Sequence, residues 1–266
     1  MNSEPWSPTA PPKAGKPVDA HQRFYRRLTR CDHLVAFHVV VKETDLWVQA
    51  RQNLKNMIKE LILKERGYIE SYILRHPDFQ QTLHPWKLEE PAAAILREMA
   101  QAGTKAGVGP MAAVAGAIAA RVGNRLLNHR KGSDEVIIEN GGDVFLKTRQ
   151  PVTVGLFAGK SPLSMQIGLA IDSRERPVAV CTSSGTVGHS ISFGNADAVC
   201  VVSGSAALAD AAATSIGNRV HTRADIHTGI DFGKTIQGVE GLVIIKDEKM
   251  ALWGALKMVP LKGKKG

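Results

Sequence analysis

Cysteine is scarce. Cys31, Cys181 and Cys200 are the only three in 266 residues, too widely spaced for a disulfide framework or a four-cysteine zinc site. That usage fits a reducing compartment, and the chain is long enough to bury a core without covalent or metal staples. Long apolar runs are also missing. The longest, Pro110 to Ala120, is mostly Ala and Gly, ends at Arg121, and falls well short of the roughly 20 residues a membrane-spanning helix needs. The opening stretch MNSEPWSPTAPPKAGKPVDA has no apolar core, so it does not resemble a secretory signal. Its Pro, Ser and Ala content predicts a disordered lead-in over residues 1–22. Together these absences predict a soluble, cytoplasmic protein with no membrane partner.

Acidic residues are also in deficit: 25 Asp and Glu face 34 Lys and Arg, a formal charge of +9. A basic domain suggests phosphate polymers, but the distribution argues otherwise. Residues 1–30 carry Lys13, Lys16, Arg23, Arg26, Arg27 and Arg30 against Glu4 and Asp19, a surplus of +4. Residues 257–266 add Lys257, Lys262, Lys264 and Lys265 with no acid, another +4, which leaves the body near +1. The basic character belongs to the chain ends, so nucleic acid is not an expected partner.

The apolar pattern predicts a hairpin over 33–41 and 45–50, then an amphipathic helix over 52–74. A proline-bearing loop over 76–91 leads to a short helix at 92–102. A glycine break and an Ala-rich helix from Pro110 to about His129 follow. Strands are expected at 135–139, 143–147, 151–158, 165–171, 177–182 and 197–203. Helices at 205–218 and 223–236 precede strands at 240–246 and 250–258. No repeat or long linker interrupts this order, which predicts a single α+β domain over 23–260 with a short basic tail at 261–266.

Several segments carry candidate chemistry. Gly107-Val108-Gly109-Pro110 imitates a dinucleotide fingerprint, but a helix precedes it where that fingerprint needs a strand. Pro110 suits a first helical position, and the amides of a helix start can hold an anion; glycines that merely allow a close helix approach explain the segment equally well. Gly155 to Ser161 has one residue too few between its glycines for a phosphate loop.

Glu139-Asn140-Gly141-Gly142-Asp143 interrupts an apolar strand pair. On an extended chain Glu139 and Asp143 project to one side, with room between them for a ligand; a tight turn is the alternative. Cys181-Thr182-Ser183-Ser184-Gly185, ending at His189, supplies small hydroxyl residues at the end of a strand and suits ligand binding. A Cys181–His189 nucleophile pair is conceivable, but a cysteine ending an apolar strand is more often inert, and no serine-hydrolase elbow is present. Asp210 and Thr214 share one face of a helix of small residues, and their oxygens suit Mg²⁺ beside a phosphate.

AGVGPMAAVAGAIAARVG, VIIENGGDVFL, AGKSPLS, CTSSGTVGHSISFGNADAV and ALADAAATSIGN occur in that order, preceded by VKETDLWV. Together they closely resemble a family of unknown function allied to ApbE, the FAD:protein FMN transferases. The likeness to the former covers nearly everything after residue 23, and that to ApbE itself covers roughly 107–250.

The resemblance implies an ApbE-type mixed α+β fold with a flavin nucleotide, FAD or another phosphate-bearing ligand, in a cleft. It implies Mg²⁺ on Asp210 and Thr214. Cofactor contacts would come from Gly107, Gly109, Asn140, Gly141, Gly142, Asp143, Thr182, Ser183, Ser184, Gly185 and His189. In ApbE a lysine precedes a helix glycine where this chain has Ala115 before Gly116, and the Asp-Pro and Thr-Gly that follow the ApbE histidine have no counterpart. The fold permits a homodimer without requiring one.

Overall fold

Alternation of apolar side chains along the strands gives the central sheet two buried faces. The computed structural model describes residues 31–89, 91–185 and 193–261. The lead-in at 1–22, the last five residues of the tail and His189 lie outside the described residues.

A hairpin of β1 (Val35–Val41) and β2 (Thr44–Ala50) comes first. α1 (Lys55–Arg75), a one-turn α2 (Asp78–Gln81), α3 (Ala94–Ala106) and α4 (Val114–Leu127) follow. The chain then lays down β3 (Val136–Asn140), β4 (Asp143–Lys147), β5 (Val152–Gly155), β6 (Ile167–Ile171), β7 (Val178–Ser183) and β8 (Ala198–Ser203). α5 (Ala206–Gly217) and α6 (Ile226–Thr235) precede β9 (Val239–Lys246), β10 (Lys249–Gly254) and β11 (Lys257–Pro260).

Eight strands form one sheet in the order β1-β2-β3-β4-β7-β8-β9-β10, every neighbouring pair antiparallel. One face, carrying Val136, Ile138, Phe145, Cys181, Val199 and Val201, packs on the helices. The opposite face, carrying Ile137, Val144, Leu146, Val180, Cys200 and Val202, packs on a three-stranded sheet of order β11-β6-β5. The result is three layers: helices, large sheet, small sheet.

α5 is the innermost helix. Eleven of its twelve residues are buried, and Ser205 caps it by accepting a hydrogen bond from the Leu208 N–H. Its run of alanines keeps it thin, so that it reaches β7 and β8 on one side and α3 and α4 on another.

The architecture departs from the sequence expectation at several points. The proline-rich 76–91 stretch contains α2, seated by the buried Phe79, and α3 runs past 102 to Ala106, where Gly107 at φ +72° ends it. The helix from Pro110 begins as a 3₁₀ turn over Pro110–Ala113.

The expected strand over 250–258 is two strands in two sheets. Gly254, at φ +98°, lies so close to the Glu240 carbonyl that a Cβ would sit 2.4 Å from its oxygen, and beyond it the chain crosses to pair with β6. Leu261 stays attached to β6 through a hydrogen bond from its N–H to the Gln166 carbonyl.

The extended reading of 139–143 is also overturned. β3 and β4 form a hairpin whose two-residue turn is Gly141-Gly142, both at positive φ (+68° and +111°), the conformation that matches strand twist and favours glycine. Pairing puts Asn140 opposite Asp143 and Glu139 opposite Val144. Asp143 therefore faces the helices while Glu139 faces the other way.

Among the described residues no single helix is long and apolar enough to cross a membrane. α3 and the 110–127 segment reach that length only as a pair bent by 106°.

Candidate functional site

Three sequence segments converge where β4 begins. Asp143 stands at the first position of β4, beside Cys181 of β7, and faces α5, where Asp210 lies in the second turn. A glycine at 116 lets α4 reach α5 so closely that a Cβ there would lie 2.3 Å from the Ala206 carbonyl oxygen and 3.0 Å from Asp210 Cβ. The Gly116 N–H, in the first turn of α4, donates to Asp210 Oδ2 at 2.9 Å. Amides at that end of a helix lack intrahelical acceptors and carry partial positive charge, so a carboxylate there is partly stabilised.

Asn140 fixes the same junction from the strand side, its Nδ2 donating to the Ala115 carbonyl at 3.0 Å. Glu139 Oε1 accepts from the Gly142 N–H at 2.8 Å and so braces the hairpin turn from the opposite face.

Burial dominates the electrostatics. It lifts the Asp210 carboxyl to about 7 against the amides of Gly116 and Ala115, which favour the charged form. Asp143 is raised still more clearly, by burial first and then by the negative charge of Asp210, with Glu139 adding to it; the Cys181 thiol and the Thr182 amide oppose the shift. No Lys or Arg side chain pairs with either aspartate among the described residues. Asp143 is buried and Asp210, alone in α5, is partly exposed; two like charges placed together there without a counter-ion cannot both ionise freely, so the pair either retains a proton or requires a cation.

The other expected site residues fall into two groups. Thr182, Ser183 and Ser184 are partly buried at the end of β7, and Gly185 is exposed. This strand end packs tightly against its surroundings. A Cβ on Gly185 would lie 2.0 Å from the Gly194 carbonyl oxygen, and one on Gly194 would lie 1.8 Å from that of Gly217, at the end of α5. Thr214 is 7% exposed, one turn beyond Asp210 and adjacent to Ser215, whose hydroxyl donates to the Ala106 carbonyl at 2.6 Å. Ser183, like Cys181, lies on the helix side of β7 near the end of α5, whereas Thr182 pairs with Cys200 and faces the small sheet, away from Asp143 and Asp210.

Gly107 and Gly109 have backbone duties. Gly107 ends α3, while Gly109 presses on the chain after α2, where a Cβ would lie 1.9 Å from the Thr82 carbonyl oxygen. As expected, α3 rather than a strand leads into this loop. Cys181 is fully buried, its thiol is raised well above its usual value by burial and by Asp143 and Asp210, and Sγ donates to the Ala206 carbonyl at 3.5 Å. That environment suits a packed thiol rather than a nucleophile. Among the described residues no group of three or more His, Cys, Asp or Glu side chains is arranged to hold a metal, so an ion here would draw on the aspartates together with hydroxyl or main-chain oxygens.

Sequence reasoning missed the first-turn amides of α4. Gly116 stood out in the sequence as the counterpart of the ApbE helix glycine, and the cue to its amide is that such smallness at a helix start permits a carboxylate from another helix to cap it.

Comparison with known proteins agrees with this architecture. UPF0280 proteins from Methanocella arvoryzae and Methanococcus aeolicus are 43% and 45% identical over 219 and 197 residues. These spans cover 82% and 73% of this chain and 88% and 79% of the relatives. The fold is similar to the flavin transferase ApbE from Vibrio cholerae, with a TM-score of 0.54 at 12% identity over 84% of this chain and 97% of that one. It is also similar to the flavinyl transferase ApbE of Pseudomonas stutzeri, with a TM-score of 0.55 at 13% identity over 86% and 95% of the two chains. A family model described as AbpE bacteria matches residues 26–249, and the chain belongs to that family.

Proposed function

We propose that this protein binds a flavin dinucleotide, or another phosphate-bearing cofactor, together with Mg²⁺ at the α4–α5–β7 junction and acts on it as a transferase-like enzyme. The carrying observation is the Asp143–Asp210 pair, the former buried and the latter the one partly exposed residue of α5; the pair faces no Lys or Arg among the described residues and meets the amide end of α4. The donor set fits a hard divalent ion, which takes oxygen ligands and would replace the proton that the pair otherwise shares. Asp210, with Thr214 one turn on, would hold it. A bound Mg²⁺ supplies charge neutralisation and polarisation of a pyrophosphate.

The protein's own contribution is positional. The Gly116 N–H and its neighbour fix the Asp210 carboxylate, Asn140 fixes the Ala115 carbonyl, and the partly buried Ser183 hydroxyl on the same side of β7 would offer a hydrogen bond to a phosphate oxygen. The likeness to flavin transferases supports the choice of flavin.

FAD titrations with and without Mg²⁺, on the wild type and on Asp210→Ala, test this reading. Mg²⁺-dependent binding by the wild type and its loss in the variant are expected; negligible, identical binding by both would overturn it. A second reading, a binding protein without turnover, draws on Ala115, which stands where the resemblance expects a lysine. Flavin retained through purification without transfer to any acceptor would favour it.

A further inference from the structure

α4 meets Asp210 with its first turn and borders a separate cavity with its last. That cavity, about 460 Å³, is lined by Met57, Glu60, Leu61 and Lys64 of α1, by Arg125 of α4, and by His129 just beyond it. Arg121 lies beside Glu65 whereas Arg125 and His129 lie beside 57–64, so the two helices run antiparallel. Gly116 and Arg125 are nine residues apart, about 14 Å along the helix axis, which separates the cavity from the aspartate pair.

Arg121, Arg125 and His129 recur at intervals of four and share the side of α4 turned to α1. The first of them is answered by acids: Arg121 Nε and Nη1 lie 3.4 Å from Glu65 Oε2 and Glu98 Oε1. One turn on, Arg125 has no carboxylate partner among the described residues, and neither has Lys64, although Glu60 lines the same space. The end of α4 does not occupy Arg125 either. Its Asn124 carbonyl accepts from the N–H and side-chain amide of Asn128, and its Leu126 carbonyl accepts from the N–H groups of His129 and Ser133.

The remaining lining completes a two-part surface. The Lys131 N–H donates to His129 Nδ1 at 3.0 Å, so Nε2 carries the hydrogen of the neutral ring. Met57 and Leu61 are half-buried, packed on the core below, and present an apolar wall.

We propose that this cavity binds a small organic anion, with a compact apolar body against Met57 and Leu61 and a singly charged head, a carboxylate or sulfonate, on Lys64, Arg125 and the His129 N–H. Two unanswered cations bordering one concavity repel each other, and a shared anion relieves both. Arg125 supplies a forked donor and Lys64 a point charge, each making a charge-assisted hydrogen bond. Covering Met57 and Leu61 removes apolar surface from water. The volume falls within the range of about 300–1,000 Å³ usual for small-molecule sites. Glu60 on the same wall penalises a second negative charge, which selects a monoanion over a dianion or a polyanion.

The test is titration of the full chain with anilinonaphthalene sulfonate, an apolar ring system bearing one anionic group, read by its fluorescence. Lys64→Ala and Arg125→Ala combined are expected to weaken binding about tenfold or more, the scale of one lost charge-assisted hydrogen bond. Both side chains are exposed, so the circular dichroism spectrum is expected to stay unchanged. Glu60→Gln is expected to tighten binding severalfold, a gain that a folding defect cannot imitate. Octanoate is expected to displace the probe, and octanol at the same concentration to leave it bound. Equal affinity in the wild type and the double variant would overturn the proposal, because the probe would then sit elsewhere. Equal displacement by octanol would also overturn it, by reducing the cavity to an apolar surface. FAD with Mg²⁺ is expected to leave the probe in place; competition between them would overturn the claim of a separate site.

Discussion

The two ends of β3 each bury a carboxylate site, and they treat charge in opposite ways. At the entry, Glu135 is surrounded by donors: the Arg51 guanidinium, the His33 ring and the Arg149 amide. At the exit, Asp143 meets Asp210, with main-chain amides and a thiol as the only opposing groups named around them. Burial penalises both sites, and only the entry compensates for it with cations. A fully satisfied acid is a structural element, whereas a pair left in need of a positive charge is a candidate for binding one, as proposed above.

The largest effect should separate the two sites directly. Glu135→Ala leaves Arg51, His33 and the Arg149 amide without their common acceptor and is expected to cost about 3 kcal/mol, measured by urea unfolding. A loss below about 1 kcal/mol would mean that the entry cluster is solvated rather than structural. Next, Mg²⁺ at a hundredfold excess over its dissociation constant should stabilise the wild type by about 2.7 kcal/mol. The same ion should leave Asp210→Asn unchanged in a thermal melt; equal shifts in both would place the ion elsewhere.

A smaller effect of opposite sign is expected from Asp210→Asn without Mg²⁺. The amide still accepts from the Gly116 N–H but removes one charge beside the buried Asp143, and a gain of about 1 kcal/mol at pH 8 is the outcome that maintains the contrast with Glu135.

The finest distinction is in pH. Asp210 titrates near 7 in the folded chain against an ordinary value of 3.8, so its folded form binds the proton more tightly. Its contribution to stability is complete below about 3.8 and is lost as pH rises through about 7. Glu135 is held low, so its contribution exists above the ordinary carboxylate range and is lost as pH falls through its folded value. Stability curves of the wild type and Asp210→Asn without Mg²⁺ should therefore diverge between pH 4 and 7. Parallel curves would remove Asp210 from the titrating pair.

Much of this was legible in the chain. The short apolar runs in VIIEN and DVFLK, the helical spacing from Ile58 to Tyr72 and the small-residue helix around Asp210 located the strands and helices that carry the site. They also supported the α+β class that the comparisons share. The exit site was only half legible. Asp210 and Thr214 share a face by helical period alone, but the side taken by Asp143 depends on whether Gly141-Gly142 extends or turns, and glycine permits both. Gly109 was legible only as a pair of alternatives, an anion site or a close approach, and the neighbour it approaches, Thr82, is one that no local pattern announces. The contact of the His33 ring with the Glu135 carboxylate was invisible for a related reason. Glu135 lies a hundred residues from His33 in sequence, and only the pairing of β2 with β3 brings them together.

That pairing also sets an order of events. Ala50 finds Val136 across the entire α1–α4 segment, and β4 skips β5 and β6 to reach β7. Contacts of such long sequence separation close slowly, because the chain entropy must be lost before pairing rewards it. The hairpin of β3 and β4 is local and can form early, but it carries only one member of the aspartate pair. Asp143 meets Asp210 only when β7 has docked and α5 has settled on it. Partly folded chains therefore lack the Asp143–Asp210 junction, and the candidate site is completed only by long-range closure of the sheet.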